Sequence, residues 1–357
     1  MSGKRIGEMT TTTRRRVGIA GALVGAASAG VAAVALAKRY AVGRIRLRHD
    51  PEVSEPFGEL GGREHTLVTS DGKALHVVVD GPDDAPLTVV LCHGYCLSLE
   101  SWHYQRKDLR ENYRLVLWDQ RSHGRSQRAG ADGSTIDRLG EDLAEVIAEF
   151  VPGPCVLVGH SMGGMTIMAL ADGHPQLFGD KIRAVALIAT SAGKLAELTL
   201  GLPAMLSKVV HKLAPTTVSM LGKRGALIDR TRNAGSDIAF LVTRYFGFGD
   251  SSNVSPTVVD FAESMIRQTP TEVVADFYPA LMNHDKLAAL HILDPVPTAI
   301  LVGDSDWLTP PDHSKAMAAA LPKAQLTEVP DTSHLIQLER PGVVNDALRD
   351  LVKRVDL

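Results

Sequence analysis

Beyond about residue 60, the hydrophobic positions fall into short β-branched runs separated by longer stretches with helical spacing. The runs predict eight strands, at residues 65–69, 75–80, 87–92, 115–118, 155–158, 184–188, 298–302 and 325–329. From Leu87 onward the runs are almost continuously apolar, the pattern of strands covered by helices on both faces and hence of a mostly parallel sheet. The first two are more polar and flank Ser70-Asp71-Gly72, which predicts an antiparallel hairpin at the sheet edge. Apolar residues three and four apart predict intervening helices at 138–150, 163–171, 314–321 and 343–355. The alternation breaks between about Ser191 and Asp294, where the pattern is helical throughout: 205–213, 236–246, 258–267 and 271–281. The expected organisation is a segment 1–50, a core made of 60–190 and 295–357, and a helical cap of 191–294 over the carboxyl edge of the sheet.

Ahead of this pattern, residues 17–37 form an uncharged run of 21 between Arg14, Arg15 and Arg16 on one side and Lys38 and Arg39 on the other. As a helix the run would be about 31 Å long, close to the thickness of a hydrocarbon core. Its nine Ala and four Gly make it far less apolar than a Leu-rich span, so insertion would be marginal. Three readings stay open. The run is an uncleaved anchor, whose orientation is not set by five basic residues on each side. Alternatively it is an export signal cut after Ala35-Leu36-Ala37, with Thr13-Arg14-Arg15-Arg16 suggesting the twin-arginine route. The plainest reading is a soluble helix or tail. A membrane partner through residues 17–37, or export after cleavage near Ala37, is the expectation.

Composition changes this picture little, but charge sharpens it. With 357 residues, 45% hydrophobic and 22% charged, disorder, collagen and coiled coil are excluded for the chain as a whole. The net charge of −3 averages two unlike parts: residues 1–50 carry ten Lys or Arg against two acids, and the remainder carries 28 against 39. A body of that sign is not expected to take nucleic acid as a partner. Cys92, Cys96 and Cys155 are too few for a disulfide framework, and the first and last sit in strand-like runs as small core residues.

The strongest chemical signal is Gly159-His160-Ser161-Met162-Gly163, placed between a strand run and a helical run. In that context a Gly-x-Ser-x-Gly string is a nucleophile elbow: small residues either side allow a sharp turn that lifts the serine hydroxyl above the sheet. The following helix aims its free N–H groups and positive dipole end at the same place. A serine needs a base, and the base needs an acid to hold its tautomer. Asp306, in Gly303-Asp304-Ser305-Asp306-Trp307, and His334, in Asp331-Thr332-Ser333-His334, each follow a predicted strand and so fall on carboxyl-edge loops. Asp304 rivals Asp306 as acid, and His313 rivals His334 as base from within a predicted helix. Donors for an oxyanion are expected from the backbone N–H groups of Met162 and of Tyr95 in His93-Gly94-Tyr95. His93 itself reads as a structural histidine joining loops.

Together these segments resemble the α/β-hydrolase superfamily, in its serine-nucleophile esterase and lipase-like branch, over about residues 60–357. The matching motifs are HGY at 93–95, DQRSHGRS at 119–126, GHSMGG at 159–164, GDSDWLTP at 303–310 and the loop residue His334. The resemblance implies an α/β fold with a mostly parallel eight-stranded sheet flanked by helices, a helical cap insertion and, in this chain, a preceding hydrophobic helix. One departure is Ser122, where relatives usually carry Gly.

Relatives resembling epoxide hydrolases and haloalkane dehalogenases use aspartate at the elbow, where this chain has Ser161. What remains is a serine hydrolase cleaving a carboxylic ester through a Ser-His-Asp triad, with cofactor-free haloperoxidase, perhydrolase and carbon–carbon hydrolase chemistry as alternatives on the same fold. A ligand-sensing protein that binds without turnover is the alternative of another class. No cofactor is implied, and no metal-ligand spacing such as His-Glu-x-x-His is present. The apolar stretch 198–213 hints at a medium-chain or lipid ester as the small-molecule partner, although a cap helix needs an apolar face merely to pack.

Overall fold

The computed structural model describes residues 42–197 and 237–355. The uncharged run 17–37 and the predicted helix 205–213 lie outside the described residues. The chain divides between His49 and Asp50 into two compact units, and the second contains the whole of the sheet.

Eight strands make one sheet: β1 (Arg63–Val68), β2 (Ala74–Asp80), β3 (Thr88–Cys92), β4 (Arg114–Trp118), β5 (Cys155–His160), β6 (Ile182–Ile188), β7 (Thr298–Gly303) and β8 (Gln325–Val329). Their order is β1-β2-β4-β3-β5-β6-β7-β8. The polar hairpin lies at the edge as its sequence predicts: β1 pairs antiparallel with β2, and β2 antiparallel with β4. Every other pairing is parallel. The strands β3, β5 and β7 are buried at every position, whereas the edge strand β1 is largely open to solvent and the edge strand β8 is fully buried only at Val329.

Alternation along the central strands divides their side chains between two cores. Val90, Leu157, Val185, Leu187 and Ile300 pack on one face, and Val89, Leu91, Val156, Val158, Ala186 and Leu301 on the other. Both faces are apolar because both are covered, so the period of two that marks a half-buried strand disappears from the sequence.

The described helices of this unit are α1 (His103–Leu109), α2 (Ile136–Phe150), α3 (Met162–Gly173), α4 (Asp237–Gly247), α5 (Pro256–Gln268), α6 (Thr271–Met282), α7 (Pro311–Ala320), α8 (Ile336–Glu339) and α9 (Pro341–Lys353). Helices α2 and α3 cover one face with Leu143, Val146, Ile167 and Leu170, and α9 covers the other with Val344, Leu348 and Leu351. Thr135 caps α2 by accepting a hydrogen bond from the Arg138 N–H at 3.1 Å. Helices α4, α5 and α6 stand between β6 and β7, where the alternation of strand and helix breaks in the sequence.

Helix α1 is not anticipated by hydrophobic spacing, and its contacts explain why. It buries polar side chains: Arg106 donates to Asp80 at 2.6 Å, and Gln105 to the Gln337 carbonyl and to Asn345 at 3.2 and 3.0 Å. Among the described residues no helix is long and apolar enough to cross a membrane.

Candidate active site

Ser161 sits between the end of β5 and the start of α3 with φ 51° and ψ −116°. For a residue with a Cβ this conformation costs on the order of 1–3 kcal/mol and persists only when its surroundings hold it. They do: the Ser161 N–H donates to the Ile188 carbonyl at 2.9 Å, and its own carbonyl accepts from Thr190 Oγ1 at 2.6 Å and the Gly164 N–H at 2.9 Å. The flanking glycines are required by contact. A Cβ on Gly163 would fall 2.0 Å from the Cys92 carbonyl oxygen, and one on Gly159 would fall 2.5 Å from the Gly163 carbonyl oxygen.

Three of the residues singled out in the sequence converge here. His334 Nε2 lies 2.9 Å from Ser161 Oγ, and its Nδ1 lies 2.9 Å from Asp306 Oδ2. With Nδ1–H donating to the carboxylate, Nε2 is free to accept the serine proton. Asp306 also accepts from the N–H groups of Leu308 and Thr309 at 2.8 and 2.9 Å and from Thr309 Oγ1 at 2.8 Å. Burial opposes its ionisation, but His334 and these donors outweigh it and hold the carboxyl below its ordinary value. The rivals stand apart. Asp304 takes the Ser305 hydroxyl at 2.9 Å and the Thr332 N–H at 3.4 Å, and His313 Nδ1 lies 2.6 Å from Ser191 Oγ.

Tyr95 lines the cavity beside Ser161, and Met162 is the first residue of α3, whose N–H has no partner within the helix. The Tyr95 loop is anchored from below. The Gln120 N–H donates to His93 Nε2 at 2.9 Å, so the proton of His93 resides on Nδ1 and is given to the Gly94 carbonyl at 2.7 Å. A Cβ on Gly94 would meet His160 Nδ1 at 2.6 Å, which leaves only glycine room there. Ser122, the departure from the usual glycine, has φ 68°, and its hydroxyl compensates by accepting the Ala129 N–H at 2.9 Å.

Thr309 and His160 belong to the site although the sequence gives them no role. Thr309 Oγ1 bonds the acid, and His160 Nε2 donates to the His334 carbonyl at 2.9 Å. Both lie inside the motifs GDSDWLTP and GHSMGG, but their roles depend on what faces them across the sheet edge. Beside Ser161 is a cavity of about 440 Å³, walled by Met165, Val242, Phe246, Leu281, Leu308 and Leu335 among others. None of its described lining residues is Asp, Glu, Lys or Arg. The apolar stretch 198–213, which hints at the substrate class in the sequence, lies outside the described residues. Among the described residues no cluster of three or more His, Cys, Asp or Glu could hold a metal ion.

Residues 88–341 match the family described as alpha/beta hydrolase fold. The chain is similar to 3-oxoadipate enol-lactonase 1 of Acinetobacter baylyi, 26% identical over 296 residues covering 81% of this chain and 97% of the relative. It is also similar to epoxide hydrolase 1 of Caenorhabditis elegans, 22% identical over 295 residues, covering 78% and 68%. A solved structure of a thermophilic esterase from Thermogutta terrifontis, with malate bound, superposes with a TM-score of 0.64 and 25% identity, covering 83% of this chain and all of that one.

Three buried imidazoles, His123, His160 and His284, are held neutral. Burial, with lesser help from neighbouring His93, His334 and Lys286 respectively, pushes His123 and His160 down to about 3 and His284 to about 4. In the unfolded chain each takes up a proton near pH ~6.5. The unfolded state therefore binds more protons below that pH, and stability present above it is lost as pH falls toward 4. Urea unfolding should give a free energy that declines between pH 7 and pH 5, by up to about 1.4 kcal/mol per pH unit for each histidine. Equal stability at the two pH values would contradict these buried neutral rings.

Proposed function

The chain belongs to the α/β-hydrolase-fold family, and from that premise we propose that it is a serine hydrolase cleaving carboxylic esters of uncharged, apolar acyl groups through a covalent acyl-Ser161. The observation that carries this reading is the unbroken line Ser161 Oγ, His334 and Asp306, with 2.9 Å at each link. Ser161 Oγ attacks the ester carbonyl while His334 Nε2 takes its proton. The oxyanion that forms accepts the N–H groups of Tyr95 and Met162, aided by the positive end of α3. The imidazolium, stabilised by Asp306, then protonates the departing alkoxide, and the same ring activates water to release the acid. The esterase and enol-lactonase similarities support ester or lactone chemistry. Epoxide opening is disfavoured, because relatives of that type carry aspartate where Ser161 stands.

The cavity supports the substrate class. A carboxylate in the acyl part would be buried without a cationic partner among the described lining residues, at a cost of several kcal/mol. An alkyl chain loses nothing and gains about 0.8 kcal/mol per buried methylene, roughly fourfold in kcat/KM.

A fluorophosphonate probe should label the folded protein on one residue, Ser161, and Ser161→Ala should abolish labelling without unfolding the chain. Absence of an adduct on folded wild-type protein would favour a binding protein over an enzyme. Across p-nitrophenyl esters, kcat/KM should rise from acetate toward hexanoate and octanoate. A preference for acetate with no activity on longer chains would overturn the proposed acyl class.

A further inference from the structure

His334 is carried on a loop between β8 and α8, and that loop is bonded to the chain leaving α4. The Leu335 N–H donates to the Gly247 carbonyl at 2.9 Å, and Ser333 Oγ donates to the Phe246 carbonyl at 3.1 Å. Gly249 lies so close to the loop that a Cβ there would fall 2.6 Å from the Thr332 nitrogen. The remaining bonds meet on one side chain. Glu339 Oε2 accepts the N–H groups of Ser333 at 2.8 Å and Gly249 at 3.0 Å, and Oε1 accepts the N–H of Asp250 at 2.8 Å.

A carboxylate suits this junction because it is all acceptor: two oxygens serve three backbone donors. One of those donors is the residue immediately before His334. The other two follow α4, the helix whose Val242, Thr243 and Phe246 wall the cavity. From the opposite side, His160 holds the His334 carbonyl. The backbone on both sides of the imidazole is therefore gripped, on one side through an element that also shapes the substrate wall.

Resting on the serine-hydrolase reading, we propose that Glu339 is a positioning residue for His334, tying the reach of the base toward Ser161 to the placement of α4. It touches neither substrate nor reacting atoms. Its effect passes through the Thr332–Ser333 peptide, whose N–H it holds one residue before His334, so it governs proton transfer more than binding. A shift of about 1 Å in the base is enough to cost on the order of a hundredfold in rate.

Glu339→Gln keeps the shape but replaces one acceptor oxygen with an NH2 group that would face a backbone donor. In the full chain, kcat for p-nitrophenyl hexanoate, counted per site titrated with fluorophosphonate, should fall at least tenfold while KM changes less than twofold. The fluorophosphonate labelling rate should fall in proportion. The downfield proton resonance expected for His334 Nδ1–H bonded to Asp306 should shift or broaden without any substrate present. Should Glu339→Gln fail to fold, Glu339→Asp, which keeps the charge one methylene shorter, carries the same readouts with the same direction. Wild-type kcat per site, or a loss seen only as fewer titratable sites, would overturn the proposal. Wild-type protein that takes no label would instead sink the serine-hydrolase reading, whereas equal labelling of wild type and variant sinks only the role of Glu339.

Discussion

The structure depends most on the close approach of backbone at the turn after β5. Gly163 leaves no room for a side chain against the Cys92 carbonyl, and this contact brings the first turn of α3 down onto the end of β3. Only with that turn so tight does Ser161 adopt φ 51° and lift its hydroxyl above the sheet edge. The strain is local, of the order of 1–3 kcal/mol, and the buried parallel strands either side supply the rigidity to hold it. Ser161 donates to β6 and accepts from Thr190 just beyond it, so the elbow is fastened to the neighbouring strand as well as to its own.

The acid, the base and Tyr95 come from carboxyl-edge loops brought to that hydroxyl. The loop after β7 offers a buried carboxylate whose donors keep it ionised, the loop after β8 offers the imidazole, and the loop after β3 offers Tyr95. The helices between β6 and β7 bond to two of these three. Tyr95 Oη donates to the Val274 carbonyl in α6 at 2.5 Å, and the His334 loop is bonded to the end of α4. The apolar wall and the polar machinery are thus parts of one hydrogen-bonded structure, which is why substrate shape and base alignment are expected to be linked.

Much of this is legible in the sequence, for identifiable reasons. Strands buried on both faces are apolar at nearly every position, so 87–92 and 155–158 announce a covered parallel sheet, and the polar pair around Ser70-Asp71-Gly72 announces its edge. The elbow is legible because its geometry tolerates few residue types. What escapes is what depends on partners far along the chain. Helix α1 gives no signal because Gln105 and Arg106 are buried as polar groups, reversing the usual spacing. Glu339 resembles any helix-end acid until Gly249 and Asp250, about ninety residues earlier, are placed against it. His160 is the unspecified residue of a motif, and its bond to the His334 carbonyl spans 174 residues. Ser122 stands out as a departure, but its positive φ and the Ala129 bond that compensates it need coordinates.

The central claim is that Ser161 forms a covalent ester during turnover. Rapid acid quench of the full-length protein during steady-state hydrolysis of p-nitrophenyl hexanoate, followed by peptide mass spectrometry, tests it most directly. The expected result is a hexanoyl mass increase confined to the peptide containing Ser161 and absent from Ser161→Ala. Hydrolysis that continues in Ser161→Ala, with no acyl adduct on the wild-type peptide, would contradict it.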